Sequence, residues 1–161
     1  GRTFIEPTQQ IRSLGVKLKH NINKTLIKNK SLILVDDSLV RGTTSIKIIK
    51  MLYEAGAKEV HLRISSPPIK FPDYYGVDTP NQNELLASKF DLEGMRKYIN
   101  AASLKFLSIE GLYKAMGYEN RNSTYPQFTD HCFTGDYPIE PTDANNKHLI
   151  KDEMSLMSSN Q

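Results

Sequence analysis

Apolar residues first gather into an unbroken run, SLILV, over Ser31 to Val35. A short run of this kind predicts a strand buried on both faces. In SIKIIKMLYEAGA the pattern changes. Ile46, Ile48, Ile49, Leu52, Tyr53 and Ala55 recur at helical spacing, and Gly56 stands where a C′ glycine ends a helix. From Glu59 to Ser66 it changes again, to strict alternation of Val60, Leu62 and Ile64, and Pro67–Pro68 stop this second strand. Strand, helix and strand in that order predict a βαβ unit with parallel strands and a right-handed crossover.

Outside this unit the pattern is weaker. Gln9 to Asn29 is basic and polar, with Ile11, Leu14, Val16 and Leu18 suggesting a short helix. FPDYYGVDTPNQN is a loop rich in Pro, Gly and Asn, and short helices are expected over Glu84 to Phe90, Leu92 to Ile99 and Ile109 to Met116. Gly117 to Pro141 is irregular, and the polar stretch from Thr142 to Gln161 is expected to be disordered. The expected organisation is a lead-in over 1–30, an α/β domain over 31–141 and a tail over 142–161.

The chain has 161 residues, 39% hydrophobic and 24% charged, enough for one domain or part of a larger one. No apolar run is long enough to span a membrane, and the first ten residues lack the apolar core of a secretory signal. A net charge of +3 spread over scattered lysines argues against a nucleic-acid surface. The single cysteine, Cys132, excludes an internal disulfide and a cysteine-only metal cage, and favours a cytoplasmic setting.

The candidate chemistry lies between the first strand and its helix, in DDSLVRGTTS. Ligands of open α/β sheets bind at the carboxyl edge, where free N–H groups and the helix macrodipole favour anions. Gly42 permits close backbone approach, and Thr43, Thr44 and Ser45 supply hydroxyl donors, although any one of them could simply cap the helix. The loop lacks the Gly-Lys-Ser/Thr ending of a Walker A motif. Asp36 and Asp37 call for a different partner: the vicinal diol of a ribose, or a hydrated Mg²⁺ held through oxygen ligands. A sugar phosphate suits both ends, with its diol on the acids and its phosphate on the loop.

At these residues the sequence resembles the PRPP-binding motif of the type I phosphoribosyltransferases. VDDSLVRGTTS, EAGAKEVHLRISSPPI, FPDYYGVDTP and FLSIEGL together resemble the amidophosphoribosyltransferase family, over roughly Gly1 to Glu140. GRTFIEPTQQ is similar to part of that family's flexible loop over the PRPP site. The resemblance implies a partial type I phosphoribosyltransferase-like parallel sheet, followed by a small helical C-terminal region. It implies replacement of the pyrophosphate of PRPP by ammonia derived from glutamine, giving 5-phosphoribosylamine for purine synthesis. Asp36 and Asp37 would face the ribose hydroxyls and the Mg²⁺, and Arg41, Gly42, Thr43, Thr44 and Ser45 would surround the 5-phosphate. Lys19 matches a flexible-loop lysine that approaches the pyrophosphate. Asp78 and Pro80 match a region near bound purine nucleotide, where AMP or GMP acts as feedback inhibitor. A homo-oligomer is implied for the full-length enzyme, with no nucleic-acid or membrane partner.

The sequence also departs from the family pattern. Nothing corresponds to the N-terminal glutaminase domain, and the chain begins within the flexible loop, so the Leu32–Val35 strand is expected to lack neighbours. Where some members bind an iron–sulfur cluster through cysteines, Thr129 and Asp73 stand in place of two of them and Cys132 keeps a third position. One thiolate cannot hold a four-iron cluster, so none is expected. A non-catalytic module binding PRPP or purine nucleotide, or a fragment requiring the missing half, would share these features.

Overall fold

The structure is a computed structural model, and it describes residues 23–76, 79 and 81–139. A single-turn helix α1 (Lys24–Ile27) leads into strand β1 (Ser31–Asp36), helix α2 (Thr43–Glu54) and strand β2 (Glu59–Ile64). A 3₁₀ turn (Gln82–Glu84), α3 (Leu86–Lys89) and α4 (Leu92–Tyr98) return the chain to β3 (Ser103–Phe106). Helices α5 (Ile109–Ala115) and α6 (His131–Thr134) follow.

The three strands form one parallel sheet in the order β1-β2-β3. Parallel register puts facing residues on the same side, so Leu34, Leu62 and Leu104 line one face. Against that face pack Ile49 of α2 and Leu86, Met95 and Ile99 from the second crossover, giving a continuous core with Val60 and Ile64. The opposite face is polar over β2 and β3. There the His61 Nδ1 and Ser103 Oγ atoms are 2.8 Å apart, and Arg63 donates to the same hydroxyl at 3.0 Å.

Helix α2 ends as its sequence predicts. Gly56 is left-handed at φ 95°, and Gly56 N–H and Ala57 N–H donate to the carbonyls of Tyr53 and Leu52. These are the two bonds of a Schellman cap, which satisfy carbonyls the last turn leaves free. The expected helices over 92–99 and 109–116 form within a residue of their predicted ends, each opened by a side chain that caps the first turn. Asp91 accepts from Gly94 N–H, and Ser108 accepts from Gly111 N–H. The expected helix over 84–90 divides into the 3₁₀ turn and α3.

One expectation is corrected, and one strand lies outside the sequence reading. Strand β1, among the described residues, is covered on one face only: Ile33 and Val35 are 69% and 68% exposed, while Leu32 and Leu34 are partly buried. Among the described residues β1 has β2 as its only sheet neighbour, so its apolar composition exceeds the cover it receives. Strand β3 has no counterpart in the sequence reading. Its four residues, SLKF, are too short for a periodic signal, and pairing with β2 makes them a strand.

Candidate functional site

The DDSLVRGTTS segment runs from the carboxyl end of β1 into α2. Its start is anchored through the backbone: the Asp36 carbonyl accepts from Ser65 N–H at 2.9 Å and from the Ser65 hydroxyl at 3.2 Å. The Asp36 Oδ1 atom accepts from Asp37 N–H at 3.0 Å, and Asp37 Oδ1 accepts from the Ser38 hydroxyl at 2.9 Å. Leu39 then turns inward as part of the core. This anchor leaves the Asp37 carboxylate exposed at the sheet edge, beside the half-buried Asp36.

Gly42 is the N-cap of α2, left-handed at φ 78°, and it offers no side chain to cap the helix. In α1, α4 and α5, by contrast, Asn23, Asp91 and Ser108 each accept from a first-turn N–H. The first turn of α2 therefore presents donors that no cap side chain takes, together with the hydroxyls of Thr43 and Thr44, while Ser45 is buried at 2% exposure. Such an end attracts an anion through its N–H groups and the helix dipole. The glycine is also required sterically: a Cβ at position 42 would lie 3.1 Å from Leu86 Cδ2 and 3.4 Å from Ile99 Cγ2.

The structure thus brings Asp36, Asp37, Arg41, Gly42, Thr43, Thr44 and Ser45 into one strand–loop–helix edge, in the order the sequence lays them out. Lys19, Asp78 and Pro80 lie outside the described residues. A cleft of about 590 Å³, lined by residues such as Pro68, Lys70, Met95 and Phe106, opens elsewhere, and none of the loop residues lines it.

Comparison with known proteins gives these residues a context. No family model matches the chain. An amidophosphoribosyltransferase of Rhizobium etli is 59% identical over 161 residues, 99% of this chain and 32% of the relative. The chain belongs to the amidophosphoribosyltransferase family. Amidophosphoribosyltransferases of Arabidopsis thaliana (number 2, chloroplastic) and Bacillus subtilis are 53% and 49% identical, over 89% and 87% of the chain. The chain spans only 25% and 29% of these two relatives. Among solved structures, glutamine PRPP amidotransferase from B. subtilis, complexed with ADP and GMP, superposes with a TM-score of 0.70 at 48% identity. That superposition covers 87% of this chain and 30% of the amidotransferase. The partial phosphoribosyltransferase-like sheet expected from the resemblance agrees with this likeness.

The sequence reading passed over a second cluster, which joins Tyr113 of α5 to residues of the stretch taken as irregular. Asp130, 3% exposed, accepts from Arg121 Nε at 2.6 Å, from the Tyr113 hydroxyl at 2.8 Å and from the Thr134 hydroxyl. The Arg121 guanidinium also bonds Asp136 at 2.6 Å. Burial alone would raise the Asp130 carboxyl, but the bonds from Arg121 and Tyr113 outweigh it and hold the group below the usual aspartate range. Burial, reinforced by the bond to Asp130, pushes the Tyr113 phenol up.

Next to this knot, the Asp73 carboxylate and the His131 imidazole are 2.7 Å apart and both nearly buried. The Cys132 carbonyl accepts from Lys70 N–H and Phe71 N–H, so the TDHC and FPD segments lie together. Burial, and next the Asp73 charge, push the Cys132 thiol up, away from thiolate chemistry. Among the described residues no group of three or more His, Cys, Asp or Glu could hold a metal ion. Nor is any described helix long and apolar enough to cross a membrane.

Proposed function

We propose that this chain supplies the PRPP-binding edge of an amidophosphoribosyltransferase, which replaces the pyrophosphate of PRPP with ammonia derived from glutamine. The observation that carries the reading is the uncapped start of α2 directly beside the Asp36–Asp37 pair. On this reading the α2 N–H groups, the Thr43 and Thr44 hydroxyls and Arg41 hold the 5-phosphate, with Ser45 buried behind them, and the two carboxylates accept from the ribose hydroxyls. Held at both ends, the sugar turns C1 toward the incoming nitrogen, which removes much of the entropic part of the barrier.

In the reaction the ammonia nitrogen forms a bond to C1 as the C1–oxygen bond to pyrophosphate breaks. The bonding electrons leave with pyrophosphate, and the new ammonium group gives a proton to solvent. Asp36 and Asp37 form an oxygen-only donor pair, suited to a magnesium ion that completes its shell with water and ligand oxygens. Bound there, the ion would stabilise negative charge on the departing pyrophosphate. Lys19 would add positive charge at the same end. No iron–sulfur cluster is part of this reading, since Asp73 and Thr129 offer no thiolate.

The ADP and GMP in the B. subtilis structure support feedback inhibition by a nucleotide of the AMP or GMP type; Asp78 and Pro80 are assigned to that nucleotide by the family resemblance alone. A cytoplasmic enzyme, homo-oligomeric at full length and supplied with glutamine-derived ammonia by a glutaminase domain, completes the proposal. Pyrophosphate release from PRPP, with ammonia and Mg²⁺, tests it in the full chain beside the Asp36→Asn/Asp37→Asn variant. A loss on the order of 100-fold in the variant is expected. Equal rates in both proteins would overturn the assignment of the acids. Saturable PRPP binding without turnover would instead identify a non-catalytic module, and absence of both a fragment that needs its missing half.

A further inference from the structure

The anion loop is held from outside by a segment far away in the chain. Arg41 Nε–H donates to Glu84 Oε2 at 2.8 Å, across 43 positions of sequence. The preceding Val40 carbonyl accepts from Leu86 N–H at 2.8 Å, and the following Gly42 packs under the Leu86 side chain. Three successive loop residues therefore meet Glu84 or Leu86. The Arg41 and Glu84 side chains are about half exposed, at 51% and 46%, and a pair that wet adds little to folding stability. Its consequence is geometric.

A guanidinium has five N–H donors in a rigid plane, and Glu84 engages the Nε edge. The terminal nitrogens are left for a second partner, and their paired N–H groups match two oxygens of a phosphate. An arginine already ordered in this way loses less side-chain freedom when it meets the anion. We propose that Glu84 is a positioning residue: it orients Arg41, and with it the loop, for the phosphate of the substrate. The proposal rests on reading the loop as a phosphate site, and it adds a residue outside that loop.

The test uses Glu84→Ala, Glu84→Gln, Arg41→Ala and the Arg41→Ala/Glu84→Ala double variant of the full chain. Glu84→Ala should raise the KM for PRPP about 3- to 10-fold, the effect of one unordered side chain, with kcat within about twofold. Glu84→Gln keeps an acceptor for Nε–H and should restore most of the loss. The double variant should be no worse than Arg41→Ala, because Glu84 acts through that arginine. An unchanged KM in Glu84→Ala, or additive losses in the double variant, would overturn the proposal. A second arm needs no substrate: in the ligand-free chain the Arg41 Nε–H resonance should be protected from exchange, exposed by Glu84→Ala and retained by Glu84→Gln. Lack of protection in the wild-type chain also overturns the positioning. Protection as expected, in a wild-type chain that does not turn over PRPP, overturns the functional reading alone.

Discussion

The anion loop and the Asp130 knot place charge under opposite conditions. In the loop, an exposed aspartate, a half-buried aspartate and a half-exposed arginine held by Glu84 stand at a sheet edge. In the knot, a nearly buried carboxylate takes bonds from a guanidinium, a phenol and a hydroxyl at once. Five of the shifted groups cluster in and around the knot: Asp130, Arg121, Tyr113, Cys132, and Tyr137, whose phenol burial pushes up to about 12; Glu59, Glu93, Arg96 and Glu110 are shifted elsewhere. A search for function by perturbed ionisation would therefore lead to the knot. Structural ion-pair networks shift pKa values as readily as active sites do. A site that must bind and release a hydrated anion keeps its donors open, whereas a clamp closes on all of them.

Asp130→Ala should separate the two regions most. It leaves Arg121 and Tyr113 without their shared acceptor, at a cost of about 3 to 5 kcal/mol in unfolding free energy. PRPP affinity of the folded fraction should stay within about twofold, so calorimetric titration beside urea unfolding checks both halves. A variant that kept its stability would show the knot to be no clamp.

Asp36→Asn/Asp37→Asn should do the reverse. Its unfolding free energy should remain within about 0.5 kcal/mol of wild type while PRPP turnover collapses. Equal damage to stability would make the acids structural. Gly42→Ala lies between these cases. The left-handed backbone and the close Leu86 contact should cost about 1 to 2 kcal/mol, and PRPP binding should weaken with it.

Acid tests the knot directly. The Asp130 carboxyl is depressed in the folded chain, so its contribution is complete above the ordinary unfolded value of about 3.9. That contribution is lost as pH falls through the lower folded value. Thermal unfolding between pH 6 and pH 2 should therefore show an acid-dependent loss that Asp130→Asn reduces. The smallest effect is expected on the open face of β1. Val35→Lys should change stability by no more than about 0.5 kcal/mol, while light scattering reports less self-association.

The grouping of the loop residues was legible because it is local. Acids, glycine and hydroxyls follow one another directly, and the strand and helix on either side carry clear periods of their own. Glu84 was not legible. It appeared only as the start of a helix, and no spacing rule joins it to Arg41. The knot was hidden for the same reason: Tyr113, Arg121, Asp130 and Asp136 converge through turns that carry no periodic pattern.

Periodicity and residue order by themselves determined the βαβ unit, the Gly56 stop of α2 and the placement of the acids before the anion loop. Each depends on neighbours a few positions apart, where backbone geometry fixes which side chains share a face. Tertiary structure alone decided that β3 is a strand, that among the described residues one face of β1 stays open, and that Arg41 leans on Glu84. Those outcomes depend on which distant segments fill the space beside them, and close packing settles that only once the whole sheet and its helices are assembled.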